Sequence, residues 1–337
     1  MEATTATNIT KGKARYIMIG GFLGAGKTTA VAKLARRLKD EGSAWASSPT
    51  IRVATWWTRP CSGPTASRPF RIRCGGFMVT TSPWPPVSVL VDPVRALRAF
   101  GLESGGSFSE KVIYIYTKQL EEADLIVISK CDLLDEARLV SLRKAIAAKF
   151  PLKAIMAVSS RSGTNLDEWF ARLTSEEQAA GTAMDVDYQV YADGEALLGW
   201  LNCTVQISAR RVFDSARFLE QLADEAQRRL QAQKAEIAHL KMTLSSDSSL
   251  LGEVAAVSLV RNDFVPELSL KLDGPVERGQ LIINLRAEAA PDLLATVVRA
   301  AVASTAEAYP TMTATLEHLE HFRPGRPQPT HRFETAR

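Results

Sequence analysis

The sequence predicts an α/β domain built on a mostly parallel sheet, followed by a smaller α+β domain. Three observations predict it. Gly21–Thr28 carries the spacing G-x-x-x-x-G-K-[ST] between an apolar run, Tyr16-Ile17-Met18-Ile19, and a helical pattern. Ala123-Asp124-Leu125-Ile126-Val127-Ile128 is an apolar run of the kind buried on both faces of a parallel sheet, with helical patterns on either side. Beyond residue 187, strand patterns follow one another with few helices between them, which suggests an antiparallel sheet with helices on one face.

Residues 1–13 are polar and predict a flexible tail, and 14–20 the first strand. The helix from Lys27 repeats Ala30, Val31, Leu34, Ala35 and Leu38 at three- and four-residue spacing and stops at Gly42. Val87–Val91 predicts a strand ending at Asp92-Pro93, with a helix through Phe100. Further helices are expected over 109–120, 135–149 and around Leu166, Trp169, Phe170 and Leu173, with a strand over 152–158. The first domain thus spans 14–174 and a polar linker 175–187. The second domain spans 188–317, with strands over 201–207, 239–244, 254–261, 267–272 and 280–285. Its helices cover 215–233, capped by Asp214, and 290–307. Residues 318–337 are expected to form an extended tail.

With 46% hydrophobic and 23% charged residues among 337, the composition is that of a globular protein. No apolar run reaches membrane-spanning length, and the N-terminus has no apolar signal region, so a cytoplasmic protein without membrane contact is expected. Cys61, Cys74, Cys131 and Cys203 form no C-x-x-C pair, which argues against a disulfide framework. The net charge of +4 is uneven. From Ser43 to Val91 there is no Asp, Glu or Lys, but there are five arginines, four of the six tryptophans and seven of the sixteen prolines. An Arg/Trp patch could neutralise and stack on nucleic acid, but outside it the chain is close to neutral, and nucleic acid is not the expected partner.

The chemistry begins at the glycine-rich stretch. Glycines let consecutive backbone N–H groups turn inward toward phosphate oxygens, and the helix that follows adds the positive end of its dipole. Gly21, Gly24, Ala25, Gly26, Lys27, Thr28 and Thr29 are therefore nucleotide-binding candidates, in a P-loop NTPase domain. Lys27 would reach the β- and γ-phosphates and Thr28 would ligate Mg²⁺. Ser129-Lys130-Cys131-Asp132 follows a buried strand and is similar to the guanine-recognition pattern [NT]-K-x-D. Lys130 would pack on the base and Asp132 would accept hydrogen bonds from it, which selects GTP over ATP by leaving adenine unpaired. Ser159, in Ser159-Ser160-Arg161-Ser162-Gly163, lies where a further nucleotide-contacting loop is expected. Asp92 is the acid at a strand end nearest in sequence, a candidate Mg²⁺ ligand or the end of a structural turn. His318 and His321, spaced i, i+3 on a possible helix with His331 nearby, are candidate metal ligands or solvated surface groups.

These motifs, the Leu166–Trp169 helix and the α+β second domain together resemble the CobW/HypB/UreG family of P-loop GTPases, over most of residues 14–331. The resemblance implies GTP and Mg²⁺ as ligands, a possible transition metal (Zn, Co or Ni), and delivery of metal or cofactor to a client metalloprotein. The family pattern also implies a second strand, a Cys-x-Cys-Cys metal motif and an acidic switch segment between residues 43 and 91. None is recognisable there, and Cys74-Gly75-Gly76-Phe77 holds one thiol where that motif would hold three.

The gap has a testable cause. Reading the codons from the third base of Ala44 permits Leu-Gly-Leu-Ile-Thr-Asn-Asp-Gln-Gly-Ser-Asn-Leu-Val, an apolar strand followed by Asn-Asp. A frameshift with a deletion near residues 43–87 would account for it; an authentic basic insert is the competing reading. Without the switch, two further readings stand beside a GTPase: a nucleotide-binding module that has lost hydrolysis and metal transfer, and a P-loop ATPase or kinase of another class.

Overall fold

The computed structural model describes residues 15–43, 45–49, 70–74, 87–175, 194, 196–248 and 253–324. The expected N-terminal tail, the linker, Cys61 and His331 lie outside them. The chain divides into two compact units. The first comprises Met1–Glu103, Tyr116–Asp185 and Pro329–Arg337, and the second Ser104–Ile115 and Val186–Gln328.

In the first unit, β1 (Arg15–Gly21) leads through the glycine-rich loop into α1 (Lys27–Asp40). Two strands follow in the proline-rich window, β2 (Trp45–Pro49) and β3 (Phe70–Cys74). Then come β4 (Val87–Val91), α2 (Pro93–Ala99), α3 (Glu110–Glu121, of which the residues up to Ile115 belong to the second unit), β5 (Leu125–Ile128), α4 (Glu136–Lys149), β6 (Ala154–Ala157) and α5 (Leu166–Ser175). The sheet has the order β2-β3-β1-β4-β5-β6 and every pairing in it is parallel.

Residues 43–91 correct the sequence reading, which expects no regular element there before Val87. β2 pairs with β3, and β3 pairs with β1 over Arg15↔Phe70 to Ile19↔Cys74. Of the prolines in this window, Pro49 ends β2, and the other six lie outside the described residues.

Alternation along β5 buries both faces of the sheet. Leu125 and Val127 join Ile17, Ile19, Leu34, Leu38, Trp169 and Phe170 in one core, so α1 and α5 cover that face. Ile126 and Ile128 point the other way and are equally buried. Trp169 is fully buried, and its indole N–H donates to the Ser88 hydroxyl at 3.3 Å.

In the second unit, β7 (Leu198–Phe213), α6 (Ser215–Ala232), β8 (Glu236–Ser246), β9 (Val254–Leu259), β10 (Glu267–Leu270), β11 (Val276–Glu288), α7 (Pro291–Glu307) and β12 (Met312–Phe322) follow in order. They form an antiparallel sheet of order β10-β9-β8-β11-β7-β12. Its core is made by Phe218, Leu222, Ala226 and Leu230 of α6, Leu294, Val298 and Ala301 of α7, and every second residue of β7, β8 and β11. Asp214 caps α6 as expected, accepting from the N–H groups of Ala216 and Arg217. The α/β and α+β fold classes expected from sequence are those observed.

The sheet continues to Phe322, past the expected domain end at 317. His318 and His321 therefore lie on a strand and not on a helix. On a strand, a spacing of three sends two side chains to opposite faces. His318 is exposed beside Glu320, while His321 is half-buried and faces Asp292 at 3.4 Å, so the two do not converge on a metal. No helix among the described residues is long and apolar enough to cross a membrane.

Candidate functional site

The glycine-rich loop closes as its spacing requires. Gly21 sits at φ 133°, and a Cβ there would stand 2.3 Å from the Leu90 carbonyl oxygen, so only glycine lets β1 lie this close to β4. Gly26 precedes α1 in the left-handed region at φ 88°, with no atom within 4 Å of where its Cβ would be. Space is thus open beside Gly26 at the N-terminus of α1, the end of a helix that favours an anion. Ala25 is buried and its N–H donates to the Phe22 carbonyl at 3.3 Å. Lys27 folds back over the loop, with Nζ donating to the carbonyls of Gly21 at 2.6 Å and Phe22 at 2.8 Å. Thr28 and Thr29 are exposed at the start of α1. Residues and room fit a nucleotide phosphate with its Mg²⁺.

Phe22 anchors the loop from below. It is 5% exposed, meets Tyr116 edge-on at 5.8 Å between ring centroids, and lies under the Arg95 guanidinium at 5.3 Å. Burial pushes the Tyr116 hydroxyl well above its ordinary pKa, with the nearby Asp92 adding to the shift.

The Ser129–Asp132 segment joins three strand ends. Ser129, at the position where the guanine pattern has Asn or Thr, is buried and donates its hydroxyl to the Val91 carbonyl at 2.8 Å, tying the end of β5 to that of β4. Cys131 N–H donates to the Val158 carbonyl beyond β6 at 3.1 Å. The Cys131 thiol is free and buried, and burial raises its pKa first, with the Asp132 charge second.

Lys130 takes the left-handed conformation at φ 50°, and its Nζ donates to the Gly24 carbonyl at 2.8 Å and to Asp92 Oδ2 at 3.0 Å. This links the two motifs in space. Asp132 is accessible at the same loop, with Oδ2 4.0 Å from Arg161 Nη1. Ser159 is fully buried, and its hydroxyl accepts the N–H groups of Arg161 and Ser162 at 3.1 Å each. It shapes the loop that carries Arg161 toward Asp132.

Asp92 is 2% exposed and serves two partners. Oδ1 accepts the Arg95 N–H at 3.1 Å, capping α2, whose first residue is Pro93, and Oδ2 pairs with Lys130. The structure thus gives Asp92 the turn-ending role of its two sequence readings. The Lys130 pairing, the Phe22 anchor and the Arg161 approach were not foreseen. Asp92-Pro93, an acid followed by proline at the first helical position, signals the α2 cap but not the pairing with Lys130.

No protein-family model and no curated protein matches the chain. Solved structures do. The Zn(II)-bound YjiA GTPase from E. coli aligns at 15% identity and a TM-score of 0.31, over 87% of this chain and 99% of that one. The hydrogenase maturation factor HypB from Archaeoglobus fulgidus aligns at 15% identity and 0.32, over 48% and 88%. Era in complex with MgGDPNP and a 16S ribosomal RNA fragment aligns at 14% identity and 0.30, over 61% and 74%. Among the described residues, no group of three or more His, Cys, Asp or Glu side chains is placed to hold a metal ion.

Proposed function

We propose that the chain is a GTP-binding protein, with Mg²⁺ held beside Thr28, whose nucleotide state controls delivery of a transition metal or cofactor to a client metalloprotein. The observation that carries the nucleotide part is the reach of Lys130 to the Gly24 carbonyl. It supports one ligand shared by the two loops, with the base at Asp132 and the phosphates at Gly21–Thr28. On binding, Lys27 leaves the carbonyls of Gly21 and Phe22 for the β- and γ-phosphates, and the loop N–H groups and the α1 dipole offset the remaining charge. Asp132 accepts from the guanine donors in place of its contact with Arg161. The delivery role follows from the motif resemblance to the CobW/HypB/UreG family.

One observation favours a second reading, a binding module without turnover. Hydrolysis needs an acid on the Mg²⁺ shell or a group that positions water. Both oxygens of Asp92 are committed to the α2 cap and to Lys130. Mg²⁺-dependent phosphate release from GTP separates the two. Release above background that is lost in Lys27→Ala supports the GTPase; tight GDP and GTP binding without release supports the module.

A further inference from the structure

The face of the second sheet turned away from α6 and α7 holds a buried cation, Arg286, for which the described residues supply no counter-charge. Along β7, β8 and β11 the residues facing α6 and α7 are apolar: Leu201, Cys203 and Val205, then Leu240 and Met242, then Ile283 and Leu285. The alternate positions point to the opposite face. They include Trp200 and Asn202 on β7, His239 and Lys241 on β8, and Asn284 and Arg286 on β11, with Arg286 directly across from both Trp200 and His239.

Positions on an open face ordinarily carry solvated side chains. Arg286 is instead 6% exposed. Its guanidinium lies 3.9 Å from the centre of the Trp200 ring, and that ring packs on Phe322 at 5.7 Å. Three polar atoms on this patch are buried without a hydrogen-bond partner: Arg286 Nε, Trp200 Nε1 and Asn202 Oδ1.

Acids on the same face do not answer the charge. Glu288 accepts the Ser109 N–H at 2.9 Å, and Glu320, across from Asn202, is exposed. Burial alone pulls the guanidinium down to about 10, and burial also lowers the Lys241 ammonium, with no carboxylate opposing either shift. Buried polar groups are almost always paired, and a desolvated cation is costly unless an anion meets it. Two donors and one acceptor without partners, at neighbouring positions of β7 and β11, match a ligand that brings an anion and a donor.

We propose that Arg286, Trp200 and Asn202 form a binding site for a small carboxylate bearing a neighbouring hydroxyl or N–H. The Nε–H and neighbouring Nη–H of Arg286 donate to the two carboxylate oxygens, the Trp200 indole N–H donates a further hydrogen bond, and the ligand's own donor bonds Asn202 Oδ1. The aromatic pair of Trp200 and Phe322 forms the dry wall, and Lys241 adds a second positive charge nearby.

The test reads the Trp200 indole N–H by ¹⁵N–¹H NMR on the full chain, assigned by its loss in Trp200→Phe. Acetate, glycolate and inorganic phosphate are titrated against chloride at matched ionic strength, in Lys27→Ala protein so that the phosphate loop does not compete. A saturable shift with both carboxylates, stronger for glycolate, is expected. Arg286→Lys should weaken it about tenfold, the equivalent of one charge-assisted hydrogen bond, and Arg286→Gln should abolish it. In Asn202→Leu, glycolate should lose its advantage over acetate. Because Arg286 is buried, the melting temperature of ligand-free Arg286→Met is measured as well, and it should not fall, since an apolar side chain replaces an unpaired charge. A Trp200 resonance that stays still with both carboxylates, moves with phosphate alone, or moves equally in Arg286→Gln overturns the proposal. A fall in the melting temperature of Arg286→Met also overturns it, since Arg286 would then be holding the fold.

Discussion

Lys130 Nζ donates to the Gly24 carbonyl at 2.8 Å across 106 residues of chain, and this bond ties the Asp132 loop to the Gly21–Thr28 loop. Lys130→Met keeps an apolar stem for stacking on a base but removes the bond. GDP affinity should fall about ten- to a hundredfold, the range for losing a hydrogen bond from a charged group. Titration with a fluorescent GDP analogue measures it, and affinity within twofold of wild type contradicts the bridging role.

Asp92 tests the other end of the same bridge. Asp92→Ala removes the α2 cap and leaves Lys130 without its carboxylate, and should cost about 2 kcal/mol of unfolding free energy. Asn is also a good cap, so Asp92→Asn should recover much of the loss. Urea unfolding of the three proteins checks the order. If Asn and Ala cost the same, the cap does not contribute.

Trp169→Ala should lower stability by about 3–5 kcal/mol, the usual cost of emptying an aromatic core site. The ring is fully buried between α5 and the sheet. A loss under about 1 kcal/mol would mean that this core is not packed as described.

Glu122 supplies a pH dependence. Burial raises its carboxyl to about 8 in the folded chain, from an ordinary 4.5. Between these values the folded state holds a proton that the unfolded state has released, so stability falls as pH rises from about 4.5 to about 8. Glu122→Gln removes this term. The melting temperature of the variant should exceed that of wild type by more at pH 8 than at pH 5; equal differences at both would contradict the burial of this carboxyl.

Much of this was legible in the sequence because the informative residues sit close together. The loop from Gly21 to Thr28 is one contiguous pattern, and the continuous apolar run at Leu125–Ile128 admits only a buried strand. β12 was not legible. Met312, Ala314 and Leu316 alternate correctly, but a register shift between Leu316 and His318 breaks the period before Leu319 and His321. The same break made His318 and His321 look like a helical pair. β2 and β3 are short, and the seven prolines of their window gave no sustained strand period. The Asp92–Lys130 pair spans 38 residues, and the isolation of Arg286 depends on packing across two neighbouring strands; neither leaves a local pattern.

The segment around β2 also bears on the gene. β2 and β3 are paired strands, the order that an authentic insert predicts, while the re-read frame from Ala44 begins Leu-Gly-Leu-Ile-Thr, a largely apolar run over the span of β2. We propose that residues 43–87 carry a frameshift with a deletion. Sequencing the gene decides it: an open alternative frame through the codons for residues 44–57 is expected, and stop codons within that frame contradict it.

Competitive titration of GTP against ATP, on wild type and on Asp132→Asn, tests the central claim most directly. Wild type should bind GTP at least tenfold more tightly than ATP, the equivalent of about 1.4 kcal/mol in hydrogen bonds to the base. Asp132→Asn should lose most of that ratio while keeping phosphate-dependent binding. Equal affinity of wild type for GTP and ATP, or an unchanged ratio in Asp132→Asn, would contradict the assignment of guanine recognition to Asp132.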